Sequence, residues 1–135
     1  MAKLQLLAFI PLDGYLLDKP ESSPLRDDPN KYGITKIRDR ATRILEWNVS
    51  FISLVQWKKE EDDTCLIEAM PETISVIGSM FRYCLVDEII LFVAPCIQGD
   101  GLRLFTEIPG PSSWEMTGNK CFKSGICRLT YKRIE

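Results

Sequence analysis

The sequence predicts an α/β domain with a mixed sheet, mostly parallel, that is flanked by helices and ends in an antiparallel C-terminal hairpin. Residues 65–94 carry the main signal, because two nearly all-apolar runs flank an amphipathic helical stripe. Apolar strands on both sides of a crossover helix are typical of parallel strands covered on both faces. The residues after Ser124 and Gly125 fit the closing strand of a hairpin near a sheet edge.

Composition limits the function classes. The 135 residues are enough for one domain with a real core, and 45% hydrophobic with 27% charged residues is ordinary for a soluble globular protein. A net charge of −2 argues against a protein that works by covering nucleic-acid phosphates. No apolar run approaches the ~20 residues of a membrane span, and no signal-peptide pattern opens the chain. We therefore expect a cytoplasmic protein with no nucleic-acid or membrane partner.

Cysteine and histidine usage restricts the chemistry. The five cysteines include no pair with the two-residue spacing of a zinc knuckle or redox motif, and three of them lie inside apolar segments. We expect reduced core thiols and no metal site. Histidine is absent, which excludes histidine-based triads and imidazole proton shuttles. Any chemistry must use carboxylates, lysine, tyrosine, cysteine or a cofactor.

The first half of the chain is predicted to contain a strand, a loop, an amphipathic helix, a second strand and a charged connector. In order, these are Lys3–Ile10, 18–30, 32–47, 49–55 and 58–63.

The second half is predicted to contain a buried strand, a helix, a buried strand and a C-terminal antiparallel region. The strands are 65–68, 89–94, 114–116, 120–123 and 126–133. Pro71 is expected in the first turn of the helix, where its missing N–H has no intrahelical partner. Because ligands of such sheets bind beyond the carboxyl ends of the strands, often at a helix N-terminus, the candidate site is Glu68-Ala69-Met70-Pro71.

Three segments, in this order, resemble dihydrofolate-reductase-like proteins, over roughly half the chain. Residues 6–16, LLAFIPLDGYL, resemble the family's first strand and the loop that follows it. Residues 67–105 resemble its Glu-Gly-Gly helix start and a run of four further motifs, here Leu85-Val86-Asp87-Glu88, Ala94-Pro95, Gly99-Asp100-Gly101 and Leu104-Phe105. Residues 124–133 are similar to its closing hairpin. The closest branch is the reductase domain of riboflavin biosynthesis, which reduces a pyrimidine ribosylamine phosphate with NADPH.

The resemblance implies a site in which NADPH delivers a hydride while its phosphates approach backbone N–H groups where a glycine pair opens the helix. Ala69 and Met70, with Pro71 beside them, match that cofactor-binding pair. Glu68 matches the acid that faces the reaction, and Asp13 is the second catalytic candidate. Leu12 and Gly14 match the loop beside the substrate. Arg40 and Thr42 are the best match in this chain to a second cofactor motif of the family, Gly-Arg-x-Thr.

The chain also departs from the family pattern. Ala69 and Met70 replace both glycines, and Asp39 stands where the second motif has glycine, next to where phosphate charge would lie. The region before residue 49 is too short for the usual elements, so one or two strands of the middle are expected to be missing. From the residues alone, Glu68 also fits a helix-terminal acid and Asp13 a turn residue.

Three functions remain open at this point. The first is a divergent homologue with an eroded cofactor site and reduced or no reductase activity. The second is an active NADPH-dependent reductase of a pteridine- or pyrimidine-like substrate. The third is a small-molecule binder that uses the vacated cleft. A shortened sheet leaves strand edges open, so we also expect a homodimer through the C-terminal antiparallel strands.

Overall fold

The computed structural model describes residues 2–17, 32–60, 62–105, 108 and 110–134; the predicted loop over 18–30 lies outside them, and for Glu60 only the backbone is described. Nine elements follow one another in the described residues. They are β1 (Lys3–Ile10), α1 (Ile34–Arg40), β2 (Arg43–Leu45), α2 (Phe51–Glu60), β3 (Thr64–Glu68), α3 (Ile74–Arg82), β4 (Glu88–Val93), β5 (Trp114–Cys121) and β6 (Cys127–Arg133).

The six strands form one mixed sheet in the order β2-β3-β1-β4-β6-β5. The four strands from β2 to β4 are parallel, while β6 runs antiparallel to β4 and β5 antiparallel to β6. The predicted mixed sheet with an antiparallel C-terminal hairpin is therefore confirmed. Among the described residues between β1 and β3, the three-residue β2 is the one strand, which agrees with the short middle expected from the sequence.

The central strand β1 supplies both cores, because its side chains alternate between the two faces of the sheet. Leu4 and Leu6, both fully buried, join the larger core, which α2 and α3 cover. Leu7, also fully buried, points to the other face and belongs to the smaller core under α1. The apolar stripe of α3 packs on the larger core as its spacing predicts, with Ile77 and Met80 completely buried.

The segment after Gly33 corrects the predicted helix over 32–47. That helix ends at Arg40, where Ala41 adopts an extended backbone, and Arg43–Leu45 then pairs with β3. Ile44 and Leu45 continue the helical spacing of the apolar residues, so the spacing alone does not show that the chain changes from helix to strand. Pairing with the edge of β3 outweighs the local periodicity.

The predicted strand over 49–55 is wrong, because Phe51–Glu60 forms the helix α2. The strands before and after it are parallel neighbours, and such strands require a crossover connection, usually a helix. Leu54 is fully buried, and Phe51 and Trp57 pack beside it on the larger core. The predicted charged connector over 58–63 is consequently shorter, since Lys58 already belongs to α2; its ammonium group binds the Leu85 carbonyl at 2.8 Å.

The C-terminal region forms two strands and not three. Trp114–Cys121 is continuous, with a bulge between Met116 and Gly118, so the predicted break at Gly118-Asn119 is an irregularity within one strand. The hairpin turn is one residue earlier than the expected Ser124-Gly125 pair: Gly125 donates to the Phe122 carbonyl at 3.0 Å and has a φ of +91°. None of the helices in the described part of the chain has the length and hydropathy of a membrane-spanning segment.

Candidate functional site

The candidate site lies at the carboxyl edge of the parallel strands, where the segments after β1, β3 and β4 meet. Asp13 follows β1, Glu68 ends β3, and Gln98 follows β4. The strand order places β1 between β3 and β4, so these three segments are neighbours. This is the edge at which sheets of this kind bind ligands.

The first two backbone N–H groups of the turn between β3 and α3 are already hydrogen-bonded, one to β1 and one within the turn. The Ala69 N–H donates to the Leu7 carbonyl at 2.8 Å, and the Met70 N–H donates to the Thr73 hydroxyl oxygen at 2.8 Å. The same hydroxyl donates back to the Glu68 carbonyl at 2.8 Å. Ala69 and Thr73 are both buried. The two N–H groups predicted to hold a cofactor phosphate are thus already bonded within the chain.

The helix that follows this turn begins later than predicted. Pro71 lies in a turn, and α3 begins at Ile74, with Thr73 as its N-cap residue. Pro71 is therefore outside the first helical turn, because the Thr73 hydroxyl closes the turn at Met70 before the helix starts. Met70 keeps 38% of its surface exposed at the site, so its side chain occupies space beside the turn.

Glu68 forms an ion pair with Arg38 of α1, with 2.8 Å between the guanidinium nitrogen and the carboxylate oxygen. Arg38 keeps 43% of its side chain exposed and Glu68 24%. Glu68 does not cap α3, which begins six residues later. The predicted acid is thus at the carboxyl edge, but its charge is matched by a side chain from another element.

Asp13 connects the loop after β1 to the loop after β4. Its carboxylate accepts hydrogen bonds from the backbone N–H of Gly99 at 2.8 Å and of Gln98 at 3.3 Å. Desolvation alone would raise the pKa of Asp13, but these N–H groups and the nearby Arg103 charge together hold that pKa below its usual value. Asp13 therefore stays ionised and fastens two loops together.

The other residues of the Asp13 loop have distinct roles in the backbone and at the surface. Gly14 has a φ of +81°, a conformation that glycine adopts at no steric cost. The Leu12 N–H donates to the Cys96 carbonyl at 2.8 Å, while the Leu12 side chain is largely exposed. Leu12 and Gly14 therefore lie at the predicted edge, and their assignment to a substrate stays a prediction.

Arg40 and Thr42 lie at the opposite end of the sheet from the Met70 turn. The Thr42 hydroxyl donates to the carbonyl of Thr64, the first residue of β3, at 3.0 Å. Arg40 lines a cavity of about 420 Å³ beneath α1, together with Lys36, Lys120, Arg128 and the Gln5–Glu88 pair. The predicted cofactor residues thus fall into two groups, separated by the length of β3, and do not form one site.

An exposed apolar side chain follows each of the four parallel strands, a feature that the sequence reading missed in part. Trp47 follows β2 and Ile97 follows β4, with 61% and 74% of their surfaces exposed, while Met70 and Leu12 follow β3 and β1. Position after the predicted strand over 89–94 is the signal that would have identified Ile97, whereas Trp47 was hidden because β2 was predicted as helix. The carboxyl edge consequently combines apolar side chains with two engaged carboxylates.

Comparison with solved structures identifies proteins of the same fold. A protein from Shewanella sp. PV-4 assigned to riboflavin biosynthesis superposes with a TM-score of 0.76 at 15% identity, over 98% of this chain and 99% of that chain. RibD of Acinetobacter baumannii gives 0.71 at 12% identity, and this chain covers 59% of its length. Dihydrofolate reductase from Enterococcus faecalis, complexed with NADP(H), gives 0.62 at 12% identity over 98% and 97% of the two chains.

These likenesses show the fold, which is dihydrofolate-reductase-like, as the sequence resemblance implied. No protein-family model matches the chain, and the search of curated proteins finds no match. The structural neighbours include a deaminase/reductase from Thermotoga maritima and a dihydrofolate reductase, and the low identities mark a divergent sequence.

Proposed function

We propose that this chain is a divergent relative of the NADPH-dependent reductases of riboflavin and dihydrofolate metabolism, with an eroded cofactor site and little or no reductase activity. One observation carries the proposal: the N–H groups of Ala69 and Met70 are bonded to the Leu7 carbonyl and the Thr73 hydroxyl. A dinucleotide phosphate at this turn would need both of these donors, and the Met70 side chain stands beside them.

The size of the expected effect follows from the lost bonds. A hydrogen bond to a charged group contributes about 1.5–3 kcal/mol, so losing two costs about 3–6 kcal/mol. That is about two to four powers of ten in affinity, since each 1.4 kcal/mol is tenfold. A loss of about three powers of ten or more, within this range, takes a micromolar site beyond millimolar, so we expect a dissociation constant for NADPH weaker than millimolar.

The carboxyl edge itself remains suited to a small ligand. Leu12, Ile97 and Trp47 offer exposed apolar surface there, and apolar lining with a few polar groups is the usual character of small-molecule sites. Under the proposal, a planar pteridine- or pyrimidine-like compound is the ligand class that this edge would accept. Glu68 and Asp13 would be its polar neighbours, with Gly14 in the adjoining loop.

An active small NADPH-dependent reductase is the alternative, and the full-length match to proteins of this fold is the observation that supports it. The Shewanella protein and the E. faecalis reductase align with nearly the whole of this chain and of their own. In that case Glu68 would act at the reaction site after its ion pair with the half-exposed Arg38 opens.

Titration of the intact protein with NADPH, followed by nicotinamide fluorescence and by protein melting, separates the two functions. The eroded site predicts no saturation below millimolar NADPH and no shift in melting temperature. A micromolar dissociation constant would overturn it and support the active reductase.

The double variant A69G/M70G is the matched comparison. It restores both glycines but leaves the N–H of residue 69 beside the Leu7 carbonyl and that of residue 70 beside the Thr73 hydroxyl. We expect its affinity to remain weaker than millimolar. A gain to micromolar affinity would show that side-chain bulk alone, and not bonded N–H groups, excludes the cofactor.

We also propose a homodimer formed through the C-terminal strands, with a second copy of the chain as the partner. β5 is an edge strand of eight residues, and Phe81, Phe105 and Trp114 line an apolar groove of about 340 Å³ beside it. An open edge next to an apolar groove favours pairing. Light scattering at tens of micromolar protein measures the mass, and a monomer would contradict the proposal.

A further inference from the structure

Two cysteines that are not adjacent in sequence face each other across the C-terminal hairpin. Cys121 is the last residue of β5, Cys127 is the first of β6, and the two are register partners. Their sulfur atoms are 3.1 Å apart. In the next pair toward the turn, the Phe122 N–H donates to the Ile126 carbonyl at 2.9 Å. The two cysteines therefore form a non-hydrogen-bonded pair, the position in an antiparallel ladder at which opposing side chains lie closest together.

The surroundings hold this pair in place and leave it accessible. Cys121 is exposed and Cys127 half-buried. On its other side Cys127 pairs with Val93 of β4, which fixes its backbone within the sheet. The expectation of reduced thiols buried in the core is therefore wrong in its placement, because only Cys65 among the five is buried.

We propose that Cys121 and Cys127 form an oxidisable dithiol, a site at which a hydroperoxide converts the two thiols reversibly into a cross-strand disulfide. Only a shift of about 1 Å separates the sulfurs from the bonding distance of about 2.05 Å. The backbone is already in the paired geometry, so closure requires no rearrangement of the strands.

The reaction proceeds in two steps. The Cys121 thiolate attacks one oxygen of the hydroperoxide and the O–O bond breaks, so that Cys121 becomes a sulfenic acid. The other oxygen leaves with a proton from solvent, as an alcohol or, from hydrogen peroxide, as water. Cys127 then attacks that sulfur, the S–S bond forms, and water leaves with the Cys127 proton. The thiols lose two electrons and the hydroperoxide gains them. A dithiol reductant reverses the reaction by exchange.

The order of the two thiols follows from their environments. The hydrogen bond with Cys121 raises the pKa of the Cys127 thiol, and desolvation raises it further. Cys127 therefore keeps its proton while the more exposed Cys121 reacts first.

Closure of the disulfide would stiffen one corner of the carboxyl edge. The Ser124 hydroxyl lies 3.0 Å from the Tyr32 hydroxyl, and the Phe122 ring packs edge-on against the Tyr32 ring at 4.8 Å between centroids. A Cβ added to Gly125 would lie 3.1 Å from Pro95, so the turn also touches the segment after β4. Oxidation thus acts on a turn that contacts two other segments of this edge.

Tryptic mapping of the intact protein tests the proposal directly. Cleavage after Lys120, Lys123 and Arg128 releases Cys121 and Cys127 on separate peptides, 121–123 and 124–128. After treatment with hydrogen peroxide and alkylation of remaining thiols, we expect these two peptides as one disulfide-linked species. Five thiols are then present in the reduced chain and three in the oxidised one. Dithiothreitol should restore both lost thiols. The oxidised protein should have a melting temperature several degrees higher than that of the reduced protein.

Cys84 is the internal reference, because it is also exposed but precedes β4 at the opposite end of the sheet. The variant Cys84→Ser should oxidise like the wild-type protein, while Cys127→Ser should lose the linked species. If peptides 121–123 and 124–128 are both recovered separately and alkylated after peroxide treatment, no disulfide has formed and the proposal is overturned. Oxidation of Cys84 at the same rate as Cys121 also overturns it, since that would mean exposure alone determines reactivity.

Discussion

Two carboxylates at the same edge of the sheet are held in different ways. Glu68 pairs with the side chain of Arg38, which is half-exposed to solvent. Asp13 accepts backbone N–H groups of Gln98 and Gly99, which move only if the loop moves. The difference shows that position beyond a strand does not decide whether an acid is available for chemistry; the type of its donor does. Of the two predicted catalytic acids, Glu68 is the easier to release.

The largest effect is expected at the turn between Glu68 and α3. The Thr73 hydroxyl, buried at 1% exposure, accepts the Met70 N–H and donates to the Glu68 carbonyl. The variant Thr73→Val keeps the side-chain shape but leaves these groups unsatisfied, so we expect a loss of about 2–3 kcal/mol in the free energy of unfolding. Urea denaturation measures it.

The matched control is Thr73→Ser, which retains the hydroxyl and should lose clearly less stability. If Thr73→Val is no more destabilising than Thr73→Ser, the hydroxyl bonds contribute no more than the methyl group, and the prediction fails.

A smaller, pH-dependent effect is expected for Asp13→Asn. The folded-state pKa of Asp13 is lowered, so its ionised form stabilises the fold above the ordinary value of 3.8, and this contribution is lost as the pH falls through the lower folded value. The wild-type protein should exceed the variant in stability at neutral pH, and the two should converge in acid. Chemical denaturation across this range checks the sign; a difference that stays constant into acid would refute it.

The smallest effect is expected for the Glu68–Arg38 ion pair. Because Arg38 is 43% exposed, solvent screens the pair, and a double-mutant cycle with Glu68→Ala and Arg38→Ala should give a coupling energy below about 1 kcal/mol. Equilibrium unfolding of the four proteins provides the measurement. A coupling of several kcal/mol would mean that Glu68 is fixed as firmly as Asp13.

The sequence predicted the type of an element correctly where its apolar pattern and its position in the sheet favour the same secondary structure. β1, β3, α3, β4 and β6 are of this kind. The segment over 49–55 misled because Val49, Phe51 and Ile52 are strand formers placed where a parallel connection demands a helix. The predicted strand over 65–68 also placed Glu68 and the turn after it at the carboxyl edge, where the structure has them.

The hydrogen bonds of the site could not be predicted from the sequence. Which N–H groups are already occupied depends on the Thr73 rotamer and on the Leu7 carbonyl of another strand. The approach of Cys121 to Cys127 depends on the turn between them, which no spacing motif records.

The place of β1 in the sheet has a consequence for biosynthesis. β1 precedes the other described strands in chain order, yet it pairs on one side with β3 and on the other with β4, whose partner residues are 83 positions away in sequence. Until those strands emerge, KLQLLAFI has two unpaired edges and an apolar sequence of the kind that aggregates. Both β3 and β4 must therefore be synthesised before β1 is paired on its two sides, and folding depends on non-local contacts that form slowly.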